Sequence, residues 1–483
     1  MDGAGRPVHT TGGTVTGTEL ADMTAVDLLA GYAAGTFSPV EVVDAVIDRV
    51  ERAEPTLRAL YAFDPERARK AAAESATRWS DRAPCGPLDG VPITIKENIA
   101  TTGEPVPLGT AATTLVPATA DAPPAARVRE AGAVLLAKTT MPDWGMLSSG
   151  VSSFHPLTRN AWNQDWNPGG SSAGAGAAAA AGYGPLHLGS DIGGSVRLPA
   201  VWNGIVGLKP SFGRVPVDPA YYARVVGPMT RTVADTALLM SVIAAPDGRD
   251  PMSLPPASLP WTEPEELDPT RLRVGVLPEA GCGLAMDTRV ADSLDDVAEV
   301  FAEHGAVVER LDPFMTPDLL ARLDLFWRAR SLADFEKLEP ERQRLVTPFI
   351  AAWCGAAASA TATDVVDGVA TMLAISKVTL TATEQFDVVL SPVAPVPTFP
   401  AQWPMPSNDV DRAMAHIGFT LPFSMSGQPA VSVGSGFTAD GRPLGLQISG
   451  RRFDDVGVLG AARWFEQARP SSAVRPWPRV WEH

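Results

Sequence analysis

The chain has 483 residues, of which 45% are hydrophobic and 19% charged, and its formal net charge is −16. This length and composition allow a sizeable buried core. The acidic balance argues against nucleic acid as a partner, because nucleic-acid binding needs a basic surface. The beginning of the sequence lacks the apolar stretch of a signal peptide, and we find no apolar run of membrane-span length. We therefore expect a cytoplasmic protein that binds neither nucleic acid nor membranes.

Cysteine and histidine usage argues against a disulfide framework and a metal site. Cys85, Cys282 and Cys354 are the three cysteines, and they lie far apart without forming a C-x-x-C pair. The six histidines lack the spacing that is typical of metal ligands. We therefore predict no bound metal.

The N-terminal part of the chain has clear signals for local structure. Residues 1–18 are polar and rich in Gly and Thr, which indicates a flexible arm before a single domain over residues 19–483. The stretch Ser38-Pro39-Val40-Glu41 has the pattern of a capping box with proline in the first turn, so a helix is predicted to begin there. Val91–Ile95 is predicted to be a strand, with Pro92 at the strand start or at a sheet edge.

Further along the chain, predicted helices and strands alternate. The Ala/Gly-rich segment 172–182 predicts a tightly packed helix, and residues 313–386 are predicted to be mostly helical and to contribute to the substrate pocket. Asp440-Gly441, between apolar segments 430–433 and 444–448, indicates a hairpin. This alternation favours a layered α/β fold. The other predicted strands are 133–137, 272–277, 306–311 and 387–390, and the other predicted helices are 122–131, 232–244 and 287–304.

The segment from Asn167 to Ala200, NPGGSSAGAGAAAAAGYGPLHLGSDIGGSVRLPA, holds several competing motifs. Gly174-x-Gly176-x-x-Ala179 matches a loose dinucleotide-binding fingerprint, which needs a preceding strand. Gly170-Ser171-Ser172-Ala173-Gly174 matches a nucleophile elbow, which also follows a strand and needs an acid and a histidine. His304 and His416 are the candidate histidines for that elbow. The stretch before both motifs is polar and interrupted by proline, so neither is favoured.

A third interpretation uses a lysine as the base for a serine nucleophile. A serine hydroxyl needs a base that takes its proton, and burial lowers the pKa of a lysine and so leaves its amine uncharged. Lys96, Lys138 and Lys209 each end an apolar, strand-like run. Strand position alone does not choose among these three lysines.

Several long motifs resemble those of the amidase signature family and occur in the order that the family has. They are VPITIKENIATTG, NPGGSSAG, LGSDIGGSVRLPAVWNGIVGLKPSFGR, DVVLSPVAP and LPFSMSGQPAVSVGSG. The resemblance covers most of residues 20–470. It implies an α/β fold in which a large mixed central β-sheet is covered by helices on both faces.

The resemblance also assigns chemical roles to individual residues. It implies that Ser195 is the nucleophile, that Ser171 is a bridging serine preceded by a cis peptide bond, and that Lys96 is the base. An oxyanion hole is a set of hydrogen-bond donors that stabilises the negative oxygen of a tetrahedral intermediate. The resemblance implies that its donors are the backbone N–H groups of Ile192, Gly193, Gly194 and Ser195. No metal or organic cofactor is required for this chemistry.

The substrate is the least defined feature at this stage. We expect a hydrolase of C–N bonds in small aryl or alkyl amides, and we include esters and carbamates as candidate substrates. We expect the protein to be a monomer or a homodimer. A glutaminase that acts within a complex, in the manner of an amidotransferase subunit, is the alternative. An inactive binding scaffold is a third class, against which the intact Lys96, Ser171 and Ser195 argue. The predicted substrate-binding residues are Trp144, Met146, Gly170, Phe326 and Trp327.

Overall fold

The computed structural model describes residues 17–263 and 266–480. Most of the predicted N-terminal arm, residues 1–16, lies outside the described residues, and residues 17 and 18 belong to the first helix. The strands are β1 (Leu60–Tyr61), β2 (Pro92–Lys96), β3 (Val134–Thr139), β4 (Leu186–Asp191), β5 (Val206–Lys209), β6 (Val225–Thr230), β7 (Arg273–Val276), β8 (Val307–Arg310), β9 (Val388–Pro392), β10 (Ala430–Phe437) and β11 (Pro443–Gly450). The α-helices are α1 (Gly17–Asp22), α2 (Ala25–Ala34), α3 (Pro39–Leu57), α4 (Pro65–Ser80), α5 (Pro123–Glu130), α6 (Ala173–Ala181), α7 (Arg197–Asn203), α8 (Val233–Ile243), α9 (Thr288–Glu303), α10 (Pro317–Phe335), α11 (Pro340–Gln343), α12 (Pro348–Gly355), α13 (Ala362–Thr383), α14 (Leu421–Met425) and α15 (Asp455–Ala468).

All the described strands join one mixed sheet, as predicted. Its strand order is β1-β3-β2-β4-β6-β5-β10-β11-β9-β7-β8. Strand β2 runs parallel to both β3 and β4, whereas β4 and β6 are antiparallel. The predicted hairpin is also present, because β10 and β11 pair in an antiparallel register.

The two faces of the sheet pack against different helices because side chains alternate along each strand. On β2, Ile93 and Ile95 belong to the core that contains residues of α5, α8 and α15. The alternate residue Lys96 points to the other face, where it reaches the start of α6. The alanines of α6 form a second core with residues of α3. The strand that carries Lys96 is therefore buried between helical layers.

Local signals explain where several elements begin. Helix α3 starts with the predicted capping box, in which the Glu41 N–H donates to Ser38 Oγ and the Ser38 N–H donates to a Glu41 carboxylate oxygen. Pro92 is the first residue of β2, as predicted. The alternative that it marks a sheet edge is wrong, because β2 lies between β3 and β4. A proline is tolerated there because the first position of a strand does not need its N–H for the ladder.

The region predicted to be mostly helical contains α10, α11, α12 and α13. Helix α13 has 22 residues and is, by length and composition, apolar enough to cross a membrane. The prediction that no apolar run reaches that length was therefore wrong for this helix. In this structure α13 packs along α10 and α14, and it buries Met372 and Ile375 there.

Candidate active site

Lys96 lies at the end of β2 with its amine among three serine side chains. Its Nζ atom is 2.8 Å from Ser171 Oγ, 3.0 Å from Ser172 Oγ and 3.1 Å from Ser190 Oγ. The side chain is fully buried. Burial lowers the pKa of Lys96 to about 7, although Asp191 and Glu97 oppose the shift. The amine is therefore largely uncharged slightly above neutral pH.

The other two strand-end lysines have different surroundings. Lys138 is buried, and its Nζ atom donates to the carbonyl of Ile99. Lys209 is also buried, and its Nζ atom donates to the carbonyl of Pro210 at 3.0 Å. Burial lowers the pKa of both amines to about 7, as it does for Lys96. It is the serine neighbours, rather than the pKa, that distinguish Lys96.

Ser171 and Ser172 immediately precede α6, and the composition of this helix lets it approach the sheet closely. A Cβ atom on Gly174 would lie 2.2 Å from the carbonyl oxygen of Ala59 and 2.5 Å from the Thr140 nitrogen, so a larger residue does not fit. The Gly170–Ser171 peptide bond is cis, as the family resemblance implies. The N–H of Ser172 donates to the carbonyl of Ser195 at 3.1 Å, which ties the two serine segments together.

Ser195 lies in the loop between β4 and α7, and this loop is organised around Asp191. The Asp191 carboxylate accepts from the N–H of Gly194 at 2.8 Å and from the N–H of Val196 at 3.0 Å. It also forms a fully buried ion pair of 2.9 Å with Arg197. Burial alone would raise the pKa of Asp191, but the Arg197 guanidinium outweighs burial and holds it at about 2. The carboxylate is therefore charged at neutral pH, and its bonds to Gly194, Val196 and Arg197 hold the loop in place.

One predicted oxyanion-hole donor is engaged within this loop. The N–H of Gly194 points to Asp191, which corrects the prediction that Gly194 faces the developing oxyanion. Gly194 has φ +131°, a conformation that L side chains rarely adopt, and a Cβ atom there would lie 2.7 Å from Thr420 Oγ1. Glycine at this position is thus required by the backbone and by packing. Gly193, by contrast, lies at the surface of the cleft.

A cleft exposes both Ser171 and Ser195. It contains about 720 Å³ of space outside protein atoms, including space open to solvent. Although both serines line it, no direct hydrogen bond joins their hydroxyl groups in the described part of the chain. The other lining residues are Asn98, Met141, Trp144, Gly145, Met146, Leu147, Ser148, Ser190, Asp191, Ile192, Gly193, Leu198, Tyr221, Arg224, Trp327, Arg330, Met414 and Ile417.

The cleft contains some of the predicted substrate-binding residues and not others. Trp144, Met146 and Trp327 line it. Phe326 does not, because it lies against Gly368 of α13, about 100° around the helix from Trp327. Gly170 is buried beside Ser149, and a Cβ atom there would lie 2.6 Å from the Ser149 nitrogen.

Sequence reasoning missed two charged residues of the cleft, Arg224 and Arg330. Neither belongs to one of the motifs that carry the family resemblance. The spacing between Trp327 and Arg330 was the available signal, because residues three apart lie on the same face of a helix.

The structure lacks the features that the competing motifs need. The segment that leads into α6 contains no strand, which both the dinucleotide fingerprint and the nucleophile elbow require. His304 is exposed at the end of α9 and its Nδ1 atom contacts the Val300 carbonyl. His416 is buried, with Nε2 2.7 Å from Ser148 Oγ, and burial lowers its pKa to about 3. Neither histidine forms a hydrogen bond with Ser172, the central serine of that G-x-S-x-G pattern, among the described residues.

Comparison with known proteins identifies the family of this chain. A model of the amidase family matches residues 41–459. An acylamidase of Rhodococcus erythropolis is 35% identical over 463 residues, covering 94% of this chain and 97% of that protein. A glutamyl-tRNA(Gln) amidotransferase subunit of Chloroflexus aurantiacus is 32% identical over 488 residues, covering 95% of this chain and 99% of that protein.

Solved structures are similar over almost the whole chain. A bacterial aryl acylamidase of the amidase signature family has a TM-score of 0.84 and 28% identity, covering 95% of this chain and 98% of that chain. The 6-aminohexanoate cyclic dimer hydrolase has a TM-score of 0.83 and 28% identity, with 95% and 99% covered. The chain therefore belongs to the amidase family, with the amidase signature fold. It is an enzyme that hydrolyses carbon–nitrogen bonds.

Proposed function

We propose that the protein cleaves small aryl or alkyl amides through a relay of Lys96, Ser171 and Ser195. The observation that carries this proposal is the 2.8 Å contact between the buried Lys96 amine and Ser171 Oγ, in a cleft that Ser195 also lines. The acylamidase and aryl acylamidase relatives support the same substrate class. Esters and carbamates need the same attack on a carbonyl carbon, so we include them as candidate substrates.

The hydrogen-bond surroundings of Lys96 suit an uncharged amine. A neutral amine has two N–H donors and one lone pair. Ser172 Oγ and Ser190 Oγ, at 3.0 and 3.1 Å, are placed to accept the two N–H groups. The lone pair is then left to accept the hydroxyl proton of Ser171, which lies 2.8 Å away. Lys96 can therefore act as a base while its two N–H groups keep their hydrogen bonds to Ser172 and Ser190.

In the acylation step, the Ser195 side chain rotates toward Ser171 and transfers its proton to Ser171, which passes its own proton to Lys96. Ser195 Oγ bonds to the carbonyl carbon, and backbone N–H groups of Ile192, Gly193 and Ser195 stabilise the negative oxygen. The proton returns through Ser171 to the leaving nitrogen, and the C–N bond breaks. Water then attacks the acyl-enzyme by the same relay and releases the acid and the free Ser195.

The test is a substrate screen of the wild type beside Ser195→Ala. We expect hydrolysis of one or more substrates among anilides, fatty amides and aryl carbamates, and a loss of turnover on the order of 10⁶-fold in the variant. A fluorophosphonate should label the wild type and not Ser195→Ala. Turnover that survives the substitution would contradict the relay, and no turnover across the panel would contradict the substrate class.

A glutaminase that acts within a complex is the second candidate, and the relatives that are amidotransferase subunits favour it. Size-exclusion chromatography with and without candidate partner proteins separates the two functions. Glutamine hydrolysis that appears only in a complex would favour the second candidate. Hydrolysis of anilides by the isolated monomer or homodimer would favour the first.

A further inference from the structure

Two arginines, Arg224 and Arg330, line the same cleft as Ser195. The Nη1 atom of Arg224 donates to the carbonyl of Pro219 at 3.4 Å, and the Nη2 atom of Arg330 lies 3.6 Å from Met146 Sδ. The Nε atom of Arg330 is buried with no hydrogen-bond partner. Among the residues that the structure describes, no carboxylate forms an ion pair with either guanidinium. A guanidinium group has five N–H donors, so both arginines keep donors that can bind an acceptor in the cleft.

Both guanidinium groups lie near the same aromatic ring, that of Tyr221. The central carbon atoms of Arg224 and Arg330 are 5.3 and 5.2 Å from the ring centre of Tyr221. Burial lowers the pKa of Arg224, and the neighbouring charge of Arg330 lowers it further. Two like charges held in this way repel each other. An anion bound to both would remove the repulsion and satisfy the free donors.

The walls of the cleft do not supply that anion. Of the described residues that line it, Asp191 is the one with a carboxylate. Asp191 already pairs with Arg197 and accepts from the N–H of Gly194. Among the described residues that line this cleft, no carboxylate is therefore left to pair with Arg224 or Arg330.

We propose that Arg224 and Arg330 form a carboxylate subsite, and that the substrate is an amide that also carries a carboxylate group away from the bond that is cleaved. This inference rests on the proposed amide hydrolysis at Ser195. A guanidinium group donates paired N–H bonds whose spacing matches the two oxygens of a carboxylate. Trp144, Trp327 and other apolar residues of the cleft would contact the carbon skeleton between the two groups. Anilides of dicarboxylic acids and N-acylated aminobenzoates have this combination.

The experiment uses substrate pairs of similar shape that differ in charge. The first pair is para-acetamidobenzoate and para-nitroacetanilide, and the second is succinanilate and butyranilide. The readout is the ratio of kcat/KM for the charged substrate to that for the neutral one. We expect Arg330→Gln and Arg224→Gln each to lower this ratio about tenfold or more for at least one pair, mainly through KM of the charged substrate. Arg330→Lys should recover part of the loss, because it keeps the charge.

Arg322→Gln is the matched control. Arg322 lies on α10 as Arg330 does, but it is exposed and pairs with Asp318 at 2.9 Å. We expect this control to leave the ratio unchanged. The proposal is overturned if Ser195-dependent turnover is present and neither cleft variant changes the ratio. If Arg330→Gln does not fold, Arg224→Gln makes the same comparison, and Arg330→Lys should lower the ratio less than Arg224→Gln does.

Failure of the proposed function gives a different result, namely no Ser195-dependent turnover of these four compounds or of any compound in the wider panel of anilides, fatty amides and aryl carbamates. The subsite is then tested by calorimetric binding of para-acetamidobenzoate and succinanilate to Ser195→Ala. Binding that weakens about tenfold or more when Arg330→Gln is added supports the subsite. Absence of binding, or binding that the added substitution does not change, overturns it.

Discussion

The Nζ atom of Lys96 lies 2.8 Å from the Oγ atom of Ser171, although 75 residues separate the two in sequence. The contact forms because Lys96 ends a strand that lies inside the sheet, and Ser171 precedes a helix packed on one face of it. Burial lowers the pKa of this amine to about 7. The protonation state of one side chain should therefore control the activity near neutral pH.

We expect kcat for a neutral anilide to rise with pH and to level off above about pH 7. Lys96 accepts a proton only when it is uncharged, so activity is lost as pH falls below its pKa of about 7. The measurement is a pH–rate profile under saturating substrate, checked for reversible loss at the acidic end. A rate that is constant between about pH 5 and pH 9 would contradict this role of Lys96.

Lys96→Met should lower kcat by about 10²- to 10⁴-fold, because it removes the base and keeps an apolar side chain of similar length. Lys138→Met is the matched control. Lys138 is also buried at a strand end with a pKa lowered to about 7, but it contacts the Ile99 carbonyl rather than a serine. We expect the control to retain most of its turnover per folded molecule. Equal losses in the two variants would mean that burial of a lysine, rather than its contact with Ser171, matters.

Ser171→Ala and Ser172→Ala distinguish the serine that transfers the proton from the serine that positions the amine. Both hydroxyl groups contact Lys96, at 2.8 and 3.0 Å, but among them only Ser171 lines the cleft. We expect Ser171→Ala to lose at least about 10²-fold in kcat and Ser172→Ala to lose less. Steady-state kinetics with one anilide makes the comparison. A larger loss of kcat in Ser172→Ala than in Ser171→Ala would mean that Ser172 transfers the proton and Ser171 positions the amine.

Arg197→Leu should destabilise the fold by about 3–5 kcal/mol, because it leaves the Asp191 carboxylate buried without its counter-charge. Both partners of this ion pair are fully buried. Urea unfolding of the wild type and the variant measures the difference. Arg322→Leu serves as the control, since it removes an exposed ion pair with Asp318 and should change stability little. A similar, small effect of both substitutions would show that the Asp191–Arg197 pair does not hold the loop.

Local sequence signals predicted much of the fold. The capping box at Ser38, the hairpin around Asp440-Gly441 and the Ala/Gly-rich helix α6 each depend on neighbouring residues. The sequence predicted that Pro92 lies at a strand start, but it did not exclude a sheet edge. The order of strands in a sheet depends on contacts between distant segments, which local patterns do not contain.

The site was predictable where long motifs exist and not elsewhere. Lys96, Ser171 and Ser195 belong to such motifs, and the family resemblance predicts their roles. Lys209 lies in one of these motifs too, so the local sequence around the three lysines does not choose among them. Apolar residues occur all round α10, so its sequence does not say whether Phe326 or Trp327 faces the cleft.

The hydrogen bond that the Gly194 N–H donates to Asp191 depends on tertiary packing. So does the absence of an acidic partner for Arg330 within the part of the chain that the structure describes. A single sequence, read by local pattern, does not contain them.

The loop around Ser195 is completed by distant parts of the chain, and this has a consequence for biosynthesis. Arg197 donates to the carbonyl of Thr420 and to the side chain of Gln447, which follows it by 250 residues. Met414 and Ile417 also complete one wall of the cleft. While the ribosome is still translating these segments, the emerging polypeptide already contains Lys96, Ser171 and Ser195 but not the residues that hold the loop around Ser195 in place. The loop around Ser195 can therefore take its final form only after residues up to Gln447 have been synthesised.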